Sequence, residues 1–545
     1  MVVAPEPDPE PVAAAPEPVV ESEPERGARL TAILGLEDDP AQQEQRPWRL
    51  DLARAGGHVA VIGAPHSGRS TLLRTIVTSL ALTHTPAQVA IYGLDLTGGL
   101  QRVGKFPHVG GVATRQHRER LTRLIEELSG TLAVREAVFG SRAIDSMAQF
   151  RVMHAAGDVP EIDSADVVLI VDGYGLLRQD FPQLEDPFVD IMVRAASFGL
   201  HCVLGMTRWS ELRMGHQALF GTRVELRLND PAESSIDRKL SSLLSADTPG
   251  RVLLDSKKFA QVALPVRELV PDDEVGDELE ALAERTAMAW AGRRAAPIRL
   301  LPLRLSPDEL PDQFDEPDVV PIGRRQDTMD FAFWELAGAD QHLLVLGDAD
   351  SGKSTLLRTI ASGLMTRFTA DELDIAVVDS RGDVAGTIGA DYLAAHAHNV
   401  TEAASLAIEI AAELERRAGD GDSRARPRDI VLLVDDYHVL SAGGQEPLSP
   451  LLRYLPGARD LGLHLVVTRP VAGAAKGMYG QTMQALRDTG SVLLMSGERA
   501  EGQLVDRIYP EPFPPGRGRF IRRGVPPHII QVAETKPVIR AKKPG

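Results

Sequence analysis

Apolar residues in this chain gather in short unbroken runs rather than alternating with polar ones. The runs recur in the same order in two halves. The first half carries His-Val-Ala-Val-Ile at 58–62, a run ending in an acid at 89–95, another at 167–172 and a fourth at 199–204. Their counterparts stand at 342–346, 375–379, 430–435 and 462–467. A run with no polar face fits a strand buried on both sides, and the helical stretches between runs predict parallel strands joined by crossover helices. Each half also opens on a Trp-containing segment, at 47–52 and 331–334, and ends with a Pro-Gly-Arg turn, at 249–251 and 515–517. This parallel order predicts an α/β fold of two tandem domains, each a mostly parallel sheet flanked by helices. The expected divisions are a tether over 1–26, a first domain over 27–265, a connector over 266–305 and a second domain over 306–540. The tether is a Pro/Ala/Glu-rich tract that cannot bury enough apolar surface to offset its ordering entropy.

The chemistry sits just after the first strand of each half. Ser-Thr-Leu-Leu-Arg-Thr-Ile occurs at 70–76 and again at 354–360, each time closing a glycine-rich loop. The second loop reads Gly347, Asp348, Ala349, Asp350, Ser351, Gly352, Lys353, Ser354, Thr355, which satisfies G-x-x-x-x-G-K-[S/T]. A strand leading through such a loop into a helix presents backbone amides and a helix dipole to a polyphosphate. ATP with Mg²⁺ is the expected ligand. Lys353 would face the phosphates, Ser354 would hold the magnesium, and Asp435, ending a downstream strand, would hold it through water. Asp436 stands where hydrolytic members of this class carry a glutamate. Its carboxylate falls back by about 1.5 Å, one C–C bond, and a misplacement of that size can cost ~10²-fold in rate. Lys353, Asp435 and Asp436 are therefore the expected catalytic set, with slow turnover.

The first loop reads Gly63, Ala64, Pro65, His66, Ser67, Gly68, Arg69, Ser70, Thr71. Arg69 replaces the lysine, and Asp172, the equivalent of Asp435, is followed by Gly173 rather than an acid. Arginine stays cationic but lacks the compact ammonium that fits the loop. Two readings stand level: a site that binds nucleotide weakly or statically, and one that has lost nucleotide.

Composition narrows the surroundings. At 545 residues the chain is too long for one core. The formal net charge of −18 disfavours non-specific duplex binding, which depends on Lys and Arg displacing counterions. The one cysteine, Cys202, excludes an internal disulfide and fits a reducing compartment. No run approaches the ~20 apolar residues of a membrane span, and no secretion leader is expected. The expected location is the cytosol. His201 and His464 recur beside the fourth strand and read as core residues. Arg208 and Arg469 follow that strand, as sensors of nucleotide or surface groups. Arg223, Arg227 and Arg238 lie where an arginine finger for a neighbouring subunit could come from, or are solvated. The cluster of arginines over 517–523 reads as a basic strand edge.

With these motifs in order, the chain resembles the FtsK/SpoIIIE family of RecA-like P-loop NTPases, in particular the EccC ATPases of type VII (ESX) secretion in a split form without the membrane-spanning part. The segments that carry the likeness are 95–100, 106–112, 160–175, 206–212 and 224–230 in the first half, and 431–437 and 462–468 in the second. The resemblance implies two tandem RecA-like domains and a cytosolic subunit held peripherally at the inner face of the plasma membrane by a membrane-anchored ATPase partner. It implies small helical-hairpin substrates of the Trp-x-Gly class, recognised through a C-terminal signal, and a hexameric ring. Thr468 stands where DNA-pumping relatives carry a Gln before the arginine. Two alternatives remain beside a secretion subunit: a DNA translocase, and an adaptor whose nucleotide sites are structural.

Overall fold

The computed structural model describes residues 30–537, apart from 54–56, 313–315, 317, 339–340, 420–427, 478 and 506. The tether expected over 1–26 lies outside the described residues. The chain divides into two compact units, one ending at Ile298 and the other starting at Arg299.

The first unit is a ten-stranded sheet. Its strands are β1 (Thr31–Asp39), β2 (Glu44–Asp51), β3 (His58–Ile62), β4 (Val89–Asp95), β5 (Val109–Thr114), β6 (Asp166–Asp172), β7 (Leu200–Met206), β8 (Phe220–Glu225), β9 (Arg251–Leu254) and β10 (Phe259–Val262). The spatial order is β2-β1-β10-β9-β8-β3-β7-β6-β4-β5. From β8 to β5 the neighbours run parallel, and from β8 out to β2 they run antiparallel. Every residue of β3, β6 and β7 is buried, as unbroken apolar runs require. The principal helices are α1 (Arg69–Thr83), α2 (Arg118–Ser141) and α3 (Val275–Ala289). Part of the stretch read as a connector is thus helical, and α3 inserts Leu279, Leu282 and Ala283 into the first unit's core.

The second unit repeats the plan strand for strand. Its strands are β11 (Val319–Arg325), β12 (Phe331–Glu335), β13 (Leu343–Leu346), β14 (Leu373–Val378), β15 (Leu393–Ala397), β16 (Asp429–Val434), β17 (Leu463–Arg469), β18 (Ser491–Met495), β19 (Arg517–Arg522) and β20 (Val525–Val532). The order β12-β11-β20-β19-β18-β13-β17-β16-β14-β15 superposes on the first position by position. Helix α4 (Lys353–Arg367) follows β13, and α5 (Val400–Gly419) precedes β16. The Trp-containing segments become β2 and β12, where Trp48 and Trp334 are buried. No described helix is long and apolar enough to cross a membrane.

A histidine stands at the start of the central strand of each unit, His58 as the first residue of β3 and His342 just before β13, and ties it to its neighbour. His58 Nδ1 accepts from the Cys202 amide at 3.0 Å while Nε2 meets the Met192 carbonyl at 2.7 Å. His342 Nδ1 accepts from the Leu465 amide at 3.1 Å. Burial pushes the His58 imidazole down to about 4 and His342 to about 3. Both rings are therefore neutral acceptors locked inside the sheet.

Candidate functional site

Both glycine-rich loops emerge from the C-terminal end of the central strand, between two parallel neighbours. That is where an open α/β sheet forms a ligand crevice. The two loops share one backbone path. His66 and Gly68 take φ of 61° and 100°, and Asp350 and Gly352 take 58° and 106°. The left-handed turn needs glycine at 68 and 352 for a second reason, which is space. A Cβ on Gly68 would lie 2.9 Å from the Gly250 nitrogen, and one on Gly352 3.0 Å from that of Gly516. These partners belong to the two Pro-Gly-Arg turns. The Gly250 amide donates to the Ser67 carbonyl at 2.9 Å, and the Gly516 amide to the Ser351 carbonyl at 2.8 Å. The repeated late turn is thus the floor that holds each loop in shape, a role the sequence pattern did not suggest.

Each loop ends at Gly68 or Gly352, and α1 or α4 begins at the next residue. The first-turn amides of a helix have no partner within it, so both loops aim N–H groups and the positive end of a dipole into the crevice.

The two sites then diverge in their charges. In the second, the Lys353 amine donates to the Asp348 carbonyl at 3.0 Å, folded back across the loop. The Ser354 hydroxyl donates to Asp435 Oδ2 at 2.6 Å, and the Thr468 hydroxyl to Oδ1 at 2.7 Å. No ion pair to Asp435 occurs among the described residues. Burial, reinforced by Asp436 and Asp379, pushes the Asp435 carboxyl up. A half-buried carboxylate beside a serine hydroxyl, with no ion pair among the described residues, is an oxygen donor set that fits a hard cation such as Mg²⁺.

In the first site the same carboxylate already has its cation. Arg69 Nε donates to Asp172 Oδ1 at 3.2 Å, and Nη1 to the Gly63 carbonyl at 3.1 Å. The hydroxyls of Ser70 and Thr97 donate to Asp172 Oδ2 at 2.6 and 2.7 Å. Asp172 is fully buried. This donor set does not fit a divalent ion, because its carboxylate is neutralised from within.

The residue after each of these aspartates is left-handed. Gly173 has φ 94° and ψ 50°, and Asp436 has φ 51° and ψ 49°. Glycine takes this geometry freely, whereas a side chain there costs about 1–2 kcal/mol. Asp436 therefore holds its carboxylate at the site against backbone strain, a pattern typical of functional positions. Arg381 approaches its Oδ2 at 3.8 Å.

The remaining candidates separate by location. His201 bonds Asp166 at 3.0 Å, and His464 lies 3.6 Å from Asp429; both are buried at the strand starts, the far end of the sheet from the loops. Arg469 ends β17 beside the second loop, where the Gly347 amide donates to its carbonyl. Its side chain is buried, burial depresses its pKa, and Nε has no partner among the described residues. Arg208 reaches Glu233 at 3.6 Å, and Arg223 pairs with Asp255 at 3.1 Å. Arg227 donates to the Pro65 carbonyl at the rim of the first loop, and Arg238 is exposed. Arg517, read as part of a basic edge, is instead buried in the sheet and donates to the Leu301 and Pro302 carbonyls. The threonines Thr97 and Thr468 were missed as ligands of the two aspartates. Thr97 lies two residues past β4 and Thr468 is the penultimate residue of β17, so only their closeness to the C-terminal strand ends could have hinted at it.

The outer edge of each sheet also differs. In the first unit, residues 295–298 run along β5. The Ala295 amide donates to the Pro107 carbonyl at 2.9 Å, Ile298 to Gly110 at 3.1 Å, and the Tyr92 hydroxyl to the Ala296 carbonyl at 2.8 Å. In the second unit, β15 pairs only with β14 among the described residues.

Comparison with known proteins agrees with this geometry. The FtsK/SpoIIIE family pattern matches residues 22–250 and 305–424. The ESX secretion system protein EccC of Thermomonospora curvata is 38% identical over 93% of this chain, which spans 39% of that relative's length. ESX-1 secretion system protein EccCb1 of Mycolicibacterium smegmatis is 32% identical, with 92% of this chain and 88% of the relative covered. Among solved structures, ATPases 2 and 3 of the T. curvata EccC, in complex with a signal sequence peptide, superpose with a TM-score of 0.81 at 35% identity over 97% of both chains.

Proposed function

The chain belongs to the FtsK/SpoIIIE family, within it to the EccC ATPases of ESX secretion, and from that premise we propose that it is an ATP-binding recognition subunit of a type VII secretion system. It binds Mg²⁺-ATP in the second loop and couples that state to capture of secreted substrates. The observation that carries the reading is the hydrogen bond of Ser354 to a half-buried Asp435 that has no ion-pair partner among the described residues, in the loop that also carries Lys353.

Bound Mg²⁺-ATP would supply the free energy of phosphoryl transfer to water. Toward it, the amides at the end of the loop and in the first turn of α4 would cradle the phosphates, and Lys353, now on the Asp348 carbonyl, would neutralise them. Ser354 and Asp435 would hold the magnesium, and Thr468, donating to Asp435, would fix the orientation of its carboxylate. Asp436 orients the attacking water, slowly, because its carboxylate is one methylene short. Arg469 stands at the loop's edge as a cation able to read the terminal phosphate.

Substrates of the small helical-hairpin, Trp-x-Gly class present a C-terminal signal. The edge of β15, which pairs only with β14 among the described residues, supports a docking place for it by strand addition, since the chain itself lays a segment on the equivalent edge of the first unit. A membrane-anchored ATPase of the same complex holds the subunit at the cytosolic face, in a ring that is hexameric when active.

Pull-down from native membranes tests the reading. Co-purification of a membrane-anchored ATPase and a small helical substrate, lost with Lys353→Ala, is expected. ATPase activity stimulated by duplex DNA but not by substrate would overturn it in favour of a translocase. No turnover even in the assembled complex would leave an adaptor.

A further inference from the structure

We propose that the first loop is a triphosphate site that works without a divalent cation, with the Arg69 guanidinium as its built-in counter-ion. The inference relies on the reading above only for the class of ligand, a nucleoside triphosphate.

The two sites share one half of the phosphate-binding device and part at the other. Loop path, supporting turn and helix start are the same, so the anion-binding half of the device is intact. The cation-binding half is not. In the second site no positive side chain among the described residues pairs with the Asp435 carboxylate, which takes the hydroxyls of Ser354 and Thr468. In the first, one carboxylate oxygen of Asp172 takes the guanidinium and the other takes two hydroxyls. A magnesium ion there would have to displace Arg69 and then sit beside it, and a buried site screens that repulsion poorly.

Arg69 also spans the crevice, from the Gly63 carbonyl at the start of the loop to Asp172 on the opposite wall. Guanidinium carries five donors in a rigid fork. With one on each of these partners, the others remain for phosphate oxygens, the geometry in which arginine recognises phosphate best. The strained His66, at φ 61°, keeps the loop in its phosphate-binding path although the position is not glycine.

Equilibrium dialysis of labelled ATP against the full chain, with Mg²⁺ or with excess EDTA, tests this. Lys353→Ala disables the second loop and reports the first. Arg69→Ala combined with Asp172→Asn removes both charges of the first site together and reports the second. In the Lys353→Ala chain, one equivalent of ATP should remain bound and its affinity should change less than about threefold on chelation. In the double variant, chelation should weaken binding by about tenfold or more, the worth of a charge-assisted contact. Adding Arg69→Lys to Lys353→Ala, with folding checked by thermal melting, should make the remaining binding dependent on Mg²⁺. The proposal is overturned if the Lys353→Ala chain binds no ATP in either condition, or binds it only with Mg²⁺. Failure of the double variant to bind Mg²⁺-ATP would instead strike the reading of the second loop and leave this one standing.

Discussion

The same substitution in the two repeats should move stability in opposite directions. Asp172→Asn removes a charge whose partner, the Arg69 side chain, is only 12% exposed and whose own surroundings are fully buried. Breaking a buried pair by removing one member costs about 3–5 kcal/mol. Arg69 sits at the mouth of the crevice and can turn partly to water, so about 2 kcal/mol is expected here. Asp435→Asn removes a charge with no ionic partner among the described residues. Its folded pKa is raised by burial, so at neutral pH the ionised form subtracts stability, increasingly as pH rises through the folded-state range. An amide keeps the hydrogen bonds to Ser354 and Thr468 without that penalty, and a gain of about 1 kcal/mol is expected, as for other relieved functional sites. Differential scanning calorimetry in EDTA without nucleotide reads both. At about 2–4 °C per kcal/mol for units of this size, Asp172→Asn should melt ~4–8 °C lower and Asp435→Asn ~2–4 °C higher than the parent. Adding Mg²⁺-ATP at about a hundred times the dissociation constant of the second loop should stabilise the second unit of the parent by about 2.7 kcal/mol and that of Asp435→Asn by less, whatever the first loop binds. If both variants lose stability equally in EDTA, the two aspartates share one electrostatic environment and the contrast drawn between the sites is wrong.

Asp436→Gly should copy the first site's backbone into the second, raising stability by about 1 kcal/mol through relief of the left-handed strain while lowering turnover; unchanged turnover in a steady-state phosphate-release assay would remove Asp436 from the mechanism. The neutral imidazoles of His58 and His342 make the fold acid-sensitive. As pH falls below the unfolded value of 6.5, only the unfolded chain takes up these protons, so stability should drop progressively, by about 3 kcal/mol per histidine at pH 4. Urea titrations between pH 7 and 4 would show it, and a flat midpoint would refute the locked-acceptor reading. Trp334→Ala removes a fully buried indole packed edge-on to His464 and should destabilise the second unit by about 3–5 kcal/mol. A loss below 1 kcal/mol would mean that the cavity collapses.

The sequence carried the fold because its signals are local and doubled. Unbroken apolar runs specify strands with both faces covered, and the runs over 58–62, 89–95, 167–172 and 199–204 became β3, β4, β6 and β7 with ends shifted by no more than a residue or two. The loops were legible too, since a phosphate loop is a contiguous stretch whose glycines, cation and hydroxyl are fixed by spacing. Less legible were contacts between distant positions: the Pro-Gly-Arg turns under the loops, the threonines on the two aspartates, and Arg517 facing inward from a cluster that looks like a surface edge. Such contacts depend on which strands become neighbours, and nothing local encodes that.

On its own, the chain's order of residues determined that there would be two phosphate loops and that one would carry arginine where the other carries lysine. What that exchange does was decided only by folding. Parallel pairing of β3, β7 and β6 brings residue 69 within reach of residue 172, over a hundred positions away, so a long guanidinium closes onto the carboxylate that a shorter ammonium leaves open. Charge acts through distance, and distance between remote residues exists only once the sheet has formed.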